Sequence, residues 1–219
     1  MFSAEVIQML IKGIGETLYM TLVSTLFGYL FGLPMGILLT ITDREGIKPN
    51  VVLYKILDIF ANIVRSVPFL ILLIVLIPLA RFIVGKSYGS SATIVSLAAA
   101  AIPYIARMVE SSLREVDAGV IEAARSMGAS TFTIVTKVML VEARTSLIVG
   151  VTISLGTILG YSAMAGTLGG GGLGDIAIRY GYYRYEAGIM AVTVILLIVL
   201  VQIFQTVGMK LSVHLDKRK

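Results

Sequence analysis

The sequence predicts an all-α integral membrane protein with five transmembrane helices. Three observations predict it. The 219-residue chain is 57% hydrophobic and only 14% charged, where a soluble domain carries about 25% charged residues. Five segments are long and apolar enough to approach the ~20 residues that cross a bilayer. Small residues recur at intervals of four inside them, as in helices that pack closely in lipid. Cysteine is absent, which excludes disulfides and thiolate metal sites. The net charge of +5 reports topology in such a chain, and no nucleic-acid partner is expected.

Residues 1–15 read as an amphipathic segment lying on the membrane surface. Ile7, Leu10, Ile11 and Ile14 share one helical face, while Glu5, Gln8 and Lys12 lie largely off it. The segment has no basic n-region, so it is not a secretory signal. The membrane domain then spans 16–209. Its first span, 17–42, is free of charge and carries Ser24, Gly28, Gly32 and Gly36 four residues apart. The second, 59–80, is interrupted by Arg65, Pro68 and Pro78. Proline there kinks or breaks the helix, and freed carbonyls at membrane depth must face protein or a water-filled cavity. Arg65 fits two readings: a functional ionisable group in a span, or a side chain near the cytoplasmic end that snorkels to the headgroups.

The third span, 88–106, is rich in alanine around Ala98 to Ala101. The fourth, 147–166, carries Gly150, Ser154, Gly156 and Gly160 and runs into the glycine stretch GTLGGGGLG at 166–174. That stretch fits either a re-entrant loop at the mouth of a pathway or a flexible connector. The fifth span is 187–209, followed by a basic tail at 210–219. Five spans put the termini on opposite sides. The basic residues of the first loop (Arg44, Lys48), of the segment 107–144 and of the tail then fall on one face. By the positive-inside rule that face is cytoplasmic and the N-terminus lies outside.

Several chemistries are missing. The stretch ARFIVGKS at 80–87 mimics a nucleotide-binding loop, but it lacks the first glycine and the strand–loop–helix context. His214 is the only histidine, so no zinc cluster or catalytic dyad is available. No carboxylate lies clearly at mid-depth in a span, which counts against a proton- or sodium-coupled carrier.

One polar segment stands apart at 115–143. Asp117 is a good N-cap for a helix over 118–127, Gly128 a good terminator, and Ser130 a cap for a second helix. Phe132, Val135, Val138 and Met139 give the second helix an apolar face. The product is a bent helical pair projecting into the cytoplasm. It fits a solvated loop or an insert for a groove on a soluble partner.

The run Glu122-Ala123-Ala124, three residues, Gly128, nine residues, Val138-Met139-Leu140 resembles the EAA motif of ABC importer permeases. The departure is Val141, where that family usually has proline. The stretches GETLYMT (15–21), NIVRSVPF (62–69), PYIARMVE (103–110), GYSAMAG (160–166) and GGLGDIAIRYGY (171–182) together resemble the methionine importer permeases.

The resemblance implies a type I importer fold in the bacterial inner membrane. The permease would be a homodimer that moves methionine from periplasm to cytoplasm by alternating access. It also implies two copies of a cytoplasmic ATPase, which would carry the ATP and magnesium, and a periplasmic or lipoprotein substrate-binding protein. This chain itself would hold no cofactor or metal and would not be an enzyme. Glu122, Ala123, Ala124, Gly128, Ala129, Ser130 and Phe132 would couple to the ATPase. Tyr161, Met164, Arg65 and Pro68 are the candidates for the translocation pathway or gate. An importer for another small solute and a standalone carrier or channel are the competing readings.

Overall fold

The computed structural model describes residues 3–215, and among them there is no β-strand. Helix α1 runs unbroken from Ala4 to Thr42. At 1.5 Å per residue its 39 residues extend ~58 Å, well beyond a bilayer core. This corrects the expected separate surface helix: the amphipathic stretch and the first span form one rod. The Ser3 hydroxyl caps its start by accepting from the Val6 N–H.

The second expected span is not one kinked helix. Helix α2 (Val51–Ser66) and helix α3 (Phe69–Val75) meet at 104°. The break falls at Val67–Pro68, where proline cannot donate to the helical ladder and steers the residue before it out of the α region. Pro78, by contrast, sits in the first turn of helix α4 (Ile77–Val84), where its missing N–H costs nothing. The nucleotide-loop mimic is the end of α4 and the bend after it, not a strand–loop–helix. Among the described residues four helices are long and apolar enough to cross a membrane, or five when the bent α2–α3 pair counts as one span.

Helix α5 (Ser90–Arg114) continues two turns past the expected end of the third span and carries Arg107, Glu110 and Arg114 with it. It packs along α1 through the small-residue stripe. A Cβ at Gly32 would lie 2.7 Å from the Ile102 carbonyl oxygen, and one at Gly36 2.5 Å from that of Ala106. Only glycine permits that approach. Leu39, Leu97, Ile105 and Val109 fill the resulting core.

After the polar pair α6 (Ala118–Ser126) and α7 (131–142) comes helix α8 (Arg144–Ala165). Its stripe behaves differently: Gly156 and Gly160 face open space. A turn at Gly166–Leu168 leads into α9 (Gly172–Ile176), which continues as a π-helical turn over Ala177–Tyr182 and folds back against α1 and α8. Helix α10 (Ala187–Leu215) is mostly exposed along its 29 residues, as a lipid-facing helix would be. It contains Lys210 and His214, whereas Lys217, Arg218 and Lys219 of the basic tail lie outside the described residues.

Candidate functional site: a coupling segment, an ion network and a broken-helix cavity

The bent helical pair forms through local capping. Asp117 Oδ1 accepts from the Gly119 N–H at 2.7 Å and starts α6. Gly128 takes φ 79°, a left-handed conformation that costs a residue with a Cβ but not glycine. The Ala129 N–H then donates to the Ala124 carbonyl at 3.1 Å and the Gly128 N–H to that of Arg125 at 3.0 Å. This pair of bonds is a Schellman closure. Ser130 Oγ accepts from the Thr133 N–H at 3.2 Å and starts α7. The helix then widens into a π-helical stretch over Ile134–Met139.

The pair has two faces. Ala124, Ile134, Val135 and Met139 are buried in the main core. Glu122, Ala123, Gly128 and Ser130 are exposed, and Ala129 is half-buried. Two large apolar side chains stand out at the tip: Phe132 is 77% exposed and Met127 81%. Phe132 was expected on the apolar face with Val135 and Met139; the structure turns it to the opposite side. Met127 closes α6 at its C-cap. Its exposure follows from its place at the cap, just before the left-handed glycine.

Beneath the segment lies a cavity of about 460 Å³ between α6, the first loop and the end of α5, lined by Asp43, Glu45, Arg114, Glu122 and Arg125 among others. Asp43 and Arg114 in its wall belong to an ion network. Glu110 is 5% exposed and accepts from Arg107 Nη1 and Arg114 Nη2, each at 2.7 Å. Arg107 reaches on to Asp58 and, at 3.0 Å, to Asn62 Oδ1 of α2. Arg114 reaches Asp43 Oδ2 at 2.6 Å, just past the end of α1. One buried carboxylate thus holds two arginines that grip two other elements. A buried charge is tolerable only when paired in this way. Sequence reading left this network unassigned. The i, i+3 and i, i+4 spacing of Arg107, Glu110 and Arg114 is the signal that shows it.

The α2–α3 break forms a second cavity of about 190 Å³, lined by Arg65, Phe69, Ala100, Tyr104 and Tyr161 among others. The Phe69 and Tyr161 rings stack at 4.5 Å, nearly parallel at 3°. Tyr104 bridges to α8 by a 3.3 Å hydrogen bond with Thr157. Two of the pathway candidates, Arg65 and Tyr161, therefore come together. Pro68 stands at the N-cap of α3 beside them, while Met164 is exposed and does not line this cavity. Asp58, two turns before Arg65 on α2, is engaged by Arg107.

The opposite end of the bundle is tied differently. The Gly172 N–H donates to Glu16 Oε2 at 2.7 Å, and the Leu173 N–H to Thr17 Oγ1 at 2.9 Å. Helix α1 thus caps α9 from outside. The Gly89 N–H also donates to the Gly169 carbonyl at 2.9 Å. The glycine stretch is clamped between three helices, so it is not a loose connector. Among the described residues no cluster of histidine, aspartate or glutamate is able to hold a metal ion.

A helical bundle with a broken span, an ordered turn at one end and a capped helical pair with an exposed apolar tip at the other defines a membrane-embedded transport subunit. A family model for the binding-protein-dependent transport system inner membrane component matches residues 14–218, and the chain belongs to that family. It is 49% identical over 210 residues to the probable D-methionine transport system permease protein MetI of Vibrio cholerae, covering 96% of this chain and 93% of that one. Against the D-methionine transport system permease protein MetI of Escherichia coli K12 the identity is 49% over 164 residues, covering 75% of this chain and 76% of the relative. Among solved structures, an inward-facing conformation of the MetNI methionine ABC transporter superimposes with a TM-score of 0.97 at 45% identity, covering 99% and 100% of the two chains. An amino acid ABC transporter crystallised with histidines shares the fold, with a TM-score of 0.74 at 20% identity over 98% and 96%.

Proposed function

We propose that this chain is the permease subunit of an ATP-driven importer that carries methionine from periplasm to cytoplasm by alternating access. The observation that carries the reading is the TM-score of 0.97 at 45% identity to the MetNI methionine transporter over nearly the whole of both chains. In this reading two copies of the chain form the pathway. Two copies of a separate ATPase supply ATP binding and hydrolysis with magnesium, and a periplasmic or lipoprotein binding protein delivers the solute. The N-terminus lies outside and the C-terminus in the cytoplasm, as the grouping of basic residues favours.

The coupling role goes to Glu122, Ala123, Ala124, Gly128, Ala129, Ser130 and Phe132, and Met127 joins them. A large apolar side chain exposed on a rigid helical pair suits a groove on a soluble partner. Ala124 serves from the buried side by letting α6 seat closely on the core. Arg65, Pro68, Tyr161 and Met164 are assigned to the pathway and its gate, since broken helices in transporters line the route at mid-membrane.

The test is uptake of labelled methionine by proteoliposomes holding the chain with its ATPase and binding protein. Uptake that requires ATP and exceeds that of other amino acids is the expected result. Uptake without the ATPase would mark a standalone carrier instead, and preferential uptake of another solute would correct the substrate.

A further inference from the structure

We infer that the cavity at the α2–α3 break is a subsite for a free amino acid, in which Arg65 receives the α-carboxylate and the Phe69–Tyr161 ring pair receives a flexible, uncharged side chain. This rests on the importer reading above and gives it a chemical basis within the membrane.

Four observations carry it. First, Arg65 lines the cavity, and among the described residues no carboxylate lies within ion-pairing distance of it. The nearest acidic residue on its own helix, Asp58, is taken by Arg107. An arginine in a span usually has a partner, and a guanidinium fork matches a carboxylate in two parallel hydrogen bonds.

Second, four helices converge on the cavity: Val64 and Arg65 come from the last turn of α2, Phe69 and Leu72 from α3, Ala100 and Tyr104 from α5, and Tyr161 from α8.

Third, the backbone supplies acceptors. α2 ends at Ser66, and Pro68 has no N–H to continue its ladder. The last turn of α2 therefore presents free carbonyl oxygens and the negative end of the helix dipole. These suit an α-ammonium group a few ångströms from the carboxylate site.

Fourth, size and lining select the ligand. The cavity of about 190 Å³ lies below the ~300–1,000 Å³ typical of sites for drug-sized ligands. Its wall is aromatic, with Phe69, Tyr104 and Tyr161, and a thioether or straight alkyl chain packs well on such rings. There is one cation to neutralise one carboxylate, so acidic side chains are disfavoured.

The experiment measures equilibrium binding of labelled methionine to the complete permease–ATPase complex in nanodiscs, without binding protein. Wild type is compared with Arg65→Gln and Arg65→Lys. Unlabelled methionine and 3-(methylthio)propylamine, which lacks the carboxylate, serve as competitors. Loss of a charge-assisted bidentate contact predicts about tenfold weaker methionine binding in Arg65→Gln. The amine should compete poorly against wild type and as well as methionine against that variant. Arg65→Lys keeps the charge without the fork and serves if Arg65→Gln does not assemble. It should bind methionine severalfold more weakly while still preferring methionine to the amine. Binding unchanged in the variants, or an amine that competes as well as methionine against wild type, overturns the subsite. ATP-driven uptake is measured on the same wild-type preparation. Its absence overturns the importer reading, whereas normal uptake with unchanged Arg65 variants overturns the subsite alone.

Discussion

The two ends of this bundle are held together by different chemistry. At the end that carries the coupling segment, long charged side chains join the elements: Arg107, Glu110 and Arg114 of α5 reach Asp58 of α2 and Asp43 beyond α1. At the other end short groups bond directly to backbone, with Glu16 and Thr17 capping α9 and Gly89 bonding to Gly169. Ion pairs on flexible stems tolerate small displacements and find new partners. Caps on backbone N–H groups hold one geometry. The contrast places the compliant joint beside the segment proposed to receive the ATPase and the stiff joint around the glycine turn at the far end. A transporter that rocks about its middle needs both.

That comparison is sharpened by substitutions read as unfolding of the detergent-solubilised protein. Glu110→Ala carries the largest expected effect, because it leaves two partly buried arginines facing each other without their shared carboxylate. Breaking a buried pair costs about 3–5 kcal/mol, and a clear drop in Tm is expected. Thr17→Val comes next. It leaves the buried Leu173 N–H without an acceptor, a loss of about 1–3 kcal/mol, together with faster hydrogen exchange confined to α9. Asp43→Asn is the smallest, since Arg114 is half exposed and keeps Glu110. An exposed pair contributes about 0–1 kcal/mol, so its Tm should fall within a degree or two of wild type. A loss for Asp43→Asn as large as for Glu110→Ala would break the idea that Glu110 is the hub.

Much of this structure was legible in the sequence, and the boundary has physical causes. Asp117, Gly128 and Ser130 act on neighbours two to five residues away, so the bent helical pair followed from local spacing. The α1 stripe was equally clear, because Gly28, Gly32 and Gly36 repeat along one helix face. The 104° turn at Pro68 was legible as a break but not as an angle, since packing of α3 on α5 sets the direction. The partners of Arg107 and Arg114 in α2 and the first loop are 49 and 71 residues distant, and no periodicity reports such contacts. The caps on α9 lie 156 residues away from it in α1. Composition showed an apolar face on α7, but only tertiary packing decided that Phe132 turns away from it.

The central claim is that the exposed tip seats in the partner ATPase. The most direct test is co-purification of the ATPase with a chain carrying Met127→Asp and Phe132→Asp, followed by ATP-driven uptake. Both side chains contact solvent rather than the core, so the variant should fold and elute as wild type does. The account predicts that it loses the ATPase, with uptake reduced about a hundredfold, as when two apolar anchors of ~1.5 kcal/mol or more each are removed from an interface. A variant that keeps its ATPase and imports normally would contradict it.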